Sequence, residues 1–337
     1  MSQNTPKPEE VSDIDRFEKS EWNFNINETI ESNKTKGFVR VKPSDIRSTL
    51  DKQFEEGKPM GFTSGVSALD PHFRWRRKGG VYGISAYPQA GKSELIKFLL
   101  TKKNQLYGSK SVIFSPEEDT EDIFEDLARV YLKQNTNKMF KDQCSKQDWD
   151  RAMKWIEDNF FLLEFDGMVN FKMLLEEYEN LAKLGYVDFV TDPWNYVAEG
   201  SMDGNGFQFL KIALSHMKTF SKRHNAHKII VEHQNVQRLL SNGEYPKANI
   251  RNITGGSMWG NKLDAIIILH NNWTKESKDT TVDIEIAKSK QQRYNGQRGT
   301  VSLEFDLATG HYLENSIPIE GKQLEFDNKY NNADPPF

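Results

Sequence analysis

The stretch VYGISAYPQAGKSELIKFLLTKK, residues 81–103, decides the fold of this chain. Its first six residues are apolar or small and predict a buried strand, and its last ten have the composition and spacing of a helix. Between them lies AYPQAGKS, residues 86–93. A strand, a glycine-bearing turn and a helix in this order are what a phosphate-binding P-loop requires. The first motif position is Ala86 rather than glycine, so the match is to the relaxed pattern.

The chemistry of a P-loop follows from its geometry. The backbone N–H groups of residues 89–93 point at bound phosphates, and the positive end of the following helix adds to the attraction. Gly91 allows close approach of the backbone, Lys92 neutralises phosphate charge and the Ser93 hydroxyl holds Mg²⁺. We therefore predict ATP and Mg²⁺ as cofactors, with nucleotide contacts from Pro88, Gln89, Ala90, Gly91, Lys92, Ser93 and Glu94.

Short apolar strands alternate with helical stretches after Gly80, which predicts an α/β fold with a mostly parallel central sheet flanked by helices. After Ala265 the strands are joined by turns at Asn295-Gly296 and Thr309-Gly310, which predicts antiparallel strands at one edge of the sheet. The predicted strands are VYGISA (81–86), SVIFS (111–115), YVDFVTD (186–192), KIIVEH (228–233), AIIILH (265–270), VDIEIAKS (282–289) and TVSLEFD (300–306).

Polar side chains lie at or just after the ends of three of these strands. Open α/β sheets bind their ligands at the carboxyl ends of strands. Asp192 is therefore a candidate metal-site acid, and Glu117 is a candidate base for the attacking water. His233 has two interpretations: it senses the terminal phosphate, or it is a histidine with a structural role. We favour the sensor.

The composition is that of an ordinary globular protein, with 36% hydrophobic and 28% charged residues. The formal net charge of −4 argues against a protein coated in basic surface, so any DNA contact must come from a local patch or a ring interior. The single cysteine, Cys144, excludes a disulfide or a zinc ribbon within the chain. No apolar run is long enough to span a membrane, and we expect a cytoplasmic protein.

The chain is expected to have four parts. Residues 1–41 contain few aliphatic side chains and predict a flexible arm. Residues 42–59 contain a helix, residues 60–314 form the ATPase domain, and residues 315–337 form a flexible tail.

The helix expected within residues 42–59 can be capped by Ser44. Ile46, Leu50 and Phe54 recur every fourth residue and give it one apolar stripe. A lone amphipathic helix must lay that stripe on something, either its own domain or a neighbouring subunit.

Together these features resemble the RecA-like motor domains of DnaB-type and Twinkle-type hexameric replicative helicases, including the motor half of phage primase-helicases. The resemblance runs from about Val41 to Leu313. It depends on GFTSGVSALD (61–70), AYPQAGKS (86–93), FSPEED (114–119), VTDPWN (190–195), VEHQN (231–235), GGSMWGNKLDAIIILHNNW (255–273) and IAKSKQQRYNGQRGTVSLEFDLATGHY (286–312).

The resemblance implies an ATP-dependent DNA helicase that forms a homo-hexamer and translocates on single-stranded DNA. It implies that Lys92 and Ser93 bind nucleotide and Mg²⁺, Glu117 is the catalytic glutamate, Asp192 is the Walker B acid and His233 is the phosphate sensor. A separate primase domain is not expected, because only about 60 residues precede the motor. A compact motor of this kind suits a phage or a mobile element.

In this family, basic residues near IAKSKQQR reach into the ATP site of the adjacent subunit. Lys288 matches the piston position of this segment. The finger is usually an arginine two residues later, where this chain has Lys290, and Arg293 follows a short loop away; both stay candidates. Asn271 departs from the family pattern, because relatives often place an arginine there, near the adenine ring. Phe305 is still expected to stack on the base.

The family's DNA contacts come from loops that line the central channel, and residues 241–262 match that segment. The resemblance also implies that the helix within 42–59 docks on the adjacent subunit. The side chains of the channel segment suit phosphates better than base edges, which predicts binding without sequence preference. The candidate DNA-binding residues are Lys247, Asn249, Arg251, Asn252, Asn261 and Lys262.

The carboxyl-terminal residues NNADPPF end in Phe337, with Asp334 close by. Two interpretations stay open: a frayed end, or an acidic-aromatic tip that recruits a polymerase, primase or another replisome protein. Two other functions also fit a RecA-like fold. One is a RecA or RadA-like recombination ATPase that forms filaments on DNA, and the other is a regulatory ATPase.

Overall fold

The computed structural model describes residues 41–138, 142–198, 206–235, 245–272 and 280–314. The predicted tail and all but the last residue of the predicted arm lie outside these ranges. The chain divides between residues 58 and 59 into two compact units. In the first unit, a 3-10 turn, Pro43–Ile46, leads into helix α1, Arg47–Glu56. The apolar stripe Ile46, Leu50 and Phe54 is exposed, and Phe54 is 90% exposed.

The predicted Ser44 cap of α1 is wrong. The backbone N–H of Lys42 donates to the Asp45 carboxylate at 2.8 Å, which closes the 3-10 turn ahead of the helix. Pro43 favours this turn because its ring fixes φ in the helical range. The α-helix therefore begins at Arg47. Its N-cap residue is Ile46, and no side chain caps the first turn of the helix.

The second unit is built on a sheet. Within the described residues it has nine strands, which are β1 Gly80–Ala86, β2 Lys110–Phe114, β3 Phe160–Leu163, β5 Tyr186–Thr191, β7 His227–His233, β8 Ala265–Asn271, β9 Thr281–Ser289, β10 Gly299–Asp306 and β11 His311–Leu313. Their order in the sheet is β11-β10-β9-β8-β1-β7-β5-β2-β3. All neighbours from β8 to β3 are parallel, and all neighbours from β8 to β11 are antiparallel. The predicted mostly parallel sheet with antiparallel edge strands is confirmed.

Helices lie in the crossovers between the parallel strands, as βαβ units require. They are α2 Lys92–Tyr107, α3 Thr120–Leu132, α4 Lys146–Asn159, α5 Phe171–Lys183, α6 Gly206–His224 and α7 Ser257–Lys262. The short helix α8, Gln292–Asn295, instead joins β9 to β10, which are antiparallel. Two further 3-10 turns are Trp194–Tyr196 and Ile250–Asn252, and a separate two-stranded sheet pairs β4 Val169–Asn170 with β6 Val197–Ala198. No helix among the described residues is long and apolar enough to cross a membrane.

The burial of each strand explains its sequence. Every residue of β1 and β5 is buried, so these strands are nearly continuous apolar runs. In β9, by contrast, buried and partly exposed residues alternate, which fits a strand nearer the antiparallel edge. The core under the P-loop is formed by Leu95 and Leu99 of α2 against Ile84 and Ile267 of the sheet. This packing holds the amino end of α2 at the carboxyl end of β1.

Candidate functional site

The P-loop joins β1 to α2 through two residues with left-handed backbone. Gln89 has φ of 61° and Gly91 has φ of 82°. The Gly91 carbonyl accepts a hydrogen bond of 3.1 Å from the Tyr312 hydroxyl, and a Cβ at Gly91 would lie 3.1 Å from that oxygen. A side chain at Gly91 is therefore both conformationally strained and crowded. Tyr312 of β11 therefore supports the P-loop. The sequence interpretation missed this contact.

Ser93 and Asp192 are brought together as predicted. The Ser93 Oγ donates to Asp192 Oδ2 at 2.7 Å, and Asp192 follows β5, two strands from β1 in the sheet. Burial raises the pKa of Asp192 to about 6, although the bond from Ser93 opposes this shift. Within the described ranges no three His, Cys, Asp or Glu side chains form a metal cluster. A hydroxyl beside one carboxylate instead fits Mg²⁺, which is usually held by few protein ligands together with phosphates and water.

Lys92 is a buried ammonium at the start of α2. Its Nζ donates to the Tyr87 carbonyl oxygen at 3.4 Å. Desolvation lowers the pKa of Lys92, while the nearby carboxylates of Asp192, Glu117 and Glu232 act in the opposite direction. A charged lysine held in this setting is a strong attractor for phosphate.

Glu117 and His233 also meet at the carboxyl edge of the sheet. Glu117 Oε1 lies 4.0 Å from His233 Nε2, and the His233 side chain is partly exposed. Burial lowers the pKa of His233, Lys92 lowers it further, and Glu117 opposes both. The imidazole is therefore biased toward its neutral form, in which one ring nitrogen donates and the other accepts.

Glu232 is a further acid of this site that the sequence interpretation missed. It is buried within β7, and desolvation raises its pKa to about 7 against the opposing charge of Lys92. Its Oε1 accepts the backbone N–H of His233 at 2.9 Å. The sequence did contain a signal for Glu232, because a glutamate inside the apolar run KIIVEH would be buried in a central strand and would need a partner there.

The other predicted nucleotide contacts surround the loop. Glu94 pairs through its carboxylate with Lys97 at 3.1 Å and Arg129 at 3.4 Å, so its backbone N–H is the group that faces phosphate in a P-loop. Phe305 is partly buried, with its ring 4.9 Å from that of Tyr312. The Asn271 amide lies 3.4 Å from the carbonyl oxygen of Gln89. Pro88 and Ala90 complete the turn.

The basic residues at and just after the end of β9 lie away from their own P-loop. In the sheet, Lys288 of β9 pairs with Ile266 of β8, and Ile266 pairs with Gly83 in the middle of β1. The Lys290 backbone N–H donates to the Asp264 carbonyl, which is still farther from the P-loop. The P-loop follows the carboxyl end of β1, and each residue of the strand adds about 3.3 Å to the distance from it. These residues therefore do not complete the nucleotide site of their own chain.

The side chains of this basic group differ in their contacts. Lys288 Nζ donates to the Gly260 carbonyl, and burial followed by the nearby Lys290 charge lowers the pKa of Lys288 to about 8. Lys290 Nζ lies 3.4 Å from the Lys262 carbonyl oxygen and 3.8 Å from the buried Asp264 carboxylate. Arg293 on α8 is exposed, with its guanidinium 5.8 Å from the ring centroid of Tyr294.

The predicted DNA-binding residues fall into two groups. Lys247 and Arg251 are exposed. The Asn249 Oδ1 accepts the Arg251 backbone N–H at 2.9 Å. The Asn252 carbonyl accepts the backbone N–H of residue 235, which places this group beside the end of β7. Asn261 and Lys262 instead end α7, and Lys262 Nζ donates to Ser215 Oγ at 3.0 Å. Residues 245–262 contain no acid, but the Glu285 carboxylate of β9 lies 3.7 Å from Lys247 Nζ.

Comparison with known proteins gives three similarities. No protein-family model matches the chain. The chain is 26% identical over 288 residues to the chloroplastic/mitochondrial Twinkle homolog protein of Arabidopsis thaliana, and the match covers 81% of this chain but only 39% of that protein. Among solved structures, an ATPase domain aligns with a TM-score of 0.67 and 17% identity over 82% of this chain and all of that one. A DnaB-like replicative helicase, described together with its interactions with primase, aligns with a TM-score of 0.62 and 15% identity over 86% of this chain and 70% of that one.

The sheet order, with the P-loop after β1 and acids at the strand ends, gives the chain the RecA-like fold of these two solved structures. The predicted resemblance to the motor domains of DnaB-type and Twinkle-type replicative helicases is confirmed by these three similarities.

Proposed function

We propose that the chain is the motor of a ring-shaped replicative DNA helicase, in which each ATP is hydrolysed between two subunits. The observation that carries this proposal is the division of the site across the sheet. The P-loop, Asp192 and Glu117 lie at the carboxyl ends of the parallel strands, whereas Lys288 pairs with Ile266 near the amino end of β8. Lys290 follows β9, and Arg293 lies on α8. A basic group so placed can act on a nucleotide only if that nucleotide belongs to another copy.

The residues of the first half divide the chemistry of hydrolysis. The P-loop N–H groups and Lys92 bind the phosphates, and Ser93 with Asp192 holds Mg²⁺, which neutralises charge on the transferred phosphoryl group. Glu117 orients the attacking water and accepts its proton. His233 is close enough to the Glu117 carboxylate to respond when the terminal phosphate leaves.

Arg293 is the better candidate for the finger that completes the neighbouring site. Its side chain is exposed, and the guanidinium offers a planar fork that matches a phosphoryl group. The Lys290 ammonium is already close to Asp264 and the Lys262 carbonyl of its own chain. Lys288, whose pKa is lowered to about 8, is proposed as the piston.

A ring also accounts for two features of the surface. Lys247 and Arg251, repeated in six copies around a channel, would form a basic track for the phosphates of single-stranded DNA despite the net charge of −4. The exposed stripe of α1 would be covered by an adjacent subunit, because Phe54 and Leu50 gain free energy when removed from water. The proposed replisome contact of Phe337 lies outside the described residues.

Unwinding of a forked DNA duplex, measured together with particle mass by light scattering, tests this function. The proposal expects closed particles of six subunits with a nonhydrolysable ATP analogue, and ATP-dependent strand separation that is lost in Lys92→Ala. Open filaments of variable length that leave the fork intact would favour the recombination ATPase. A small particle whose ATP turnover ignores DNA would favour a regulatory ATPase.

A further inference from the structure

Two tyrosines join the P-loop to the proposed DNA-binding segment. The rings of Tyr87 and Tyr245 are stacked, with centroids 4.4 Å apart and an interplanar angle of 13°. Tyr87 is buried, and among the described residues its hydroxyl has no hydrogen-bond partner. Tyr245 is 45% exposed and lies two residues before Lys247. The stack is thus an apolar contact between a P-loop residue and the loop that carries the proposed phosphate-binding lysine.

Gln234 makes a second connection beside this stack. Its Nε2 donates to Ser85 Oγ of β1 at 2.9 Å, and its Oε1 accepts the backbone N–H of Asn249 at 3.2 Å. The backbone N–H of Thr254 donates to the His233 carbonyl at 3.0 Å. Residues 249–254 are therefore fixed to the ends of β1 and β7 by hydrogen bonds. The start of the segment, residues 245–247, contacts the P-loop through the Tyr245 ring. It also contacts β9, because Lys247 Nζ lies 3.7 Å from the Glu285 carboxylate.

The Tyr87 main chain is also linked to the phosphate site. Lys92 Nζ donates to the Tyr87 carbonyl oxygen. A phosphate bound in the P-loop is a stronger acceptor for this ammonium than a neutral carbonyl. Phosphate binding therefore draws Lys92 away from Tyr87 and changes the restraint on that residue. A change in the position of Tyr87 would shift the Tyr245 ring, because the two rings are stacked with their centroids 4.4 Å apart.

We propose that Tyr87 and Tyr245 are positioning residues that couple phosphate binding at Lys92 to the placement of the Lys247 loop, and so to affinity for single-stranded DNA. This inference rests on the proposed function. Aromatic pairs contribute about 0.5–1.5 kcal/mol beyond their buried area, which corresponds to about two- to ten-fold in an equilibrium constant. Allosteric couplings are typically of comparable or larger size.

A direct role of Tyr245 predicts a different result. An exposed aromatic side chain beside basic residues can stack on a DNA base. Tyr87 cannot, because it is buried under Tyr245. A base-stacking Tyr245 would strengthen DNA binding equally with and without nucleotide, whereas the proposed coupling changes only the ratio of the two affinities.

The test measures the Kd of the whole 337-residue chain for a fluorescent oligothymidine, with and without a nonhydrolysable ATP analogue. The ratio of the two Kd values is the coupling. We expect Tyr245→Ala and Tyr87→Leu each to reduce this ratio by about two- to ten-fold, and the double variant to reduce it no further. Tyr245→Phe keeps the ring and should keep the ratio.

Tyr131→Leu is the matched control. Tyr131 stacks on Trp155 at 4.2 Å and 15°, a similar geometry between α3 and α4, so its loss reports the general effect of removing a stacked ring. A wild-type ratio in Tyr245→Ala or Tyr87→Leu, or single-variant effects that multiply in the double variant, would overturn the inference. Equal weakening of DNA binding in both nucleotide states would assign Tyr245 to base stacking instead. If the two Kd values of the wild-type protein are equal while DNA binding and ATP turnover are intact, the inferred coupling is contradicted and the proposed function is not. If the wild-type protein binds no DNA, the proposed function is contradicted as well.

Discussion

Glu117 and His233 face each other at the carboxyl edge of the sheet, with Oε1 and Nε2 4.0 Å apart. This separation is too long for a direct hydrogen bond, but a water molecule can bridge the two side chains. Glu117 follows β2 and His233 ends β7, and these strands are not neighbours, since β5 lies between them. The pair therefore connects the proposed base with the strand that precedes the proposed DNA-binding segment.

Glu117→Gln should separate nucleotide binding from hydrolysis. The amide keeps the shape of the side chain but cannot accept a proton, so ATP turnover should fall by about 10²- to 10⁴-fold. Affinity for a fluorescent ATP analogue should stay near the wild-type value, since Lys92 and the P-loop are untouched. Full turnover in this variant would remove Glu117 from the mechanism and leave its neighbour Glu118 as the acid to examine.

Arg293 should act on the ATP site of another subunit. Arg293→Ala and Lys92→Ala should each abolish turnover when present in every subunit. Mixed particles should regain activity, because a subunit with an intact P-loop then meets a neighbour with an intact Arg293. ATP turnover is measured across mixing ratios, with Lys290→Ala mixed in parallel to compare the two candidate fingers. Absence of recovery at every ratio, with mixed assembly verified by mass, would contradict action between subunits.

Glu232→Gln should change the dependence of stability on pH. The pKa of Glu232 is raised to about 7 in the folded protein, so the wild-type chain loses stability as pH rises from the ordinary glutamate range through about 7. The glutamine does not titrate, and the stability advantage of the variant should therefore grow from the acid side of this range to the alkaline side. Urea denaturation on both sides of the range measures it. An advantage that is constant or shrinks as pH rises would show that Glu232 is ionised throughout.

Breaking a buried ion pair should destabilise the sheet. Lys103 and Asp188 are fully buried and bonded to each other, and Lys103 Nζ lies 2.7 Å from His227 Nδ1. Burial raises the pKa of Asp188, but Lys103 and His227 outweigh this effect and hold it below its usual value. Lys103→Met should lower the free energy of unfolding by about 3–5 kcal/mol, because it leaves a buried carboxylate without its main partner.

The exposed pair of Lys154 and Asp158, 3.5 Å apart on α4, provides the comparison for this stability measurement. Lys154→Met should change the free energy of unfolding by less than about 1 kcal/mol. Chemical denaturation followed by circular dichroism measures both variants. Similar losses in the two variants would mean that burial does not set the value of the Lys103 pair.

The seven predicted strands are all present, and each end lies within one residue of the predicted position. Buried strands bounded by polar residues leave a clear pattern, because both faces of the sheet are covered by helices. Two strands of the large sheet were missed. β3 directly follows α4 at Phe160 with no turn residue between them, and β11 is only three residues long.

The site was predictable where a rule ties a residue to a strand end. Ser93, Asp192, Glu117 and His233 follow from the P-loop and from the position of ligands at the carboxyl ends of strands. The stack of Tyr87 on Tyr245 joins residues far apart in sequence, and no spacing within either segment encodes it. Contacts of this kind depend on how loops meet after the sheet has formed.

The measurement that tests the central claim most directly is the ATP turnover of the purified protein with and without single-stranded DNA. The proposed motor predicts turnover that rises when DNA is added and that disappears in Lys92→Ala, whose P-loop lacks the ammonium that holds the phosphates. Turnover that is identical with and without DNA, in protein that hydrolyses ATP through Lys92, would contradict a DNA motor.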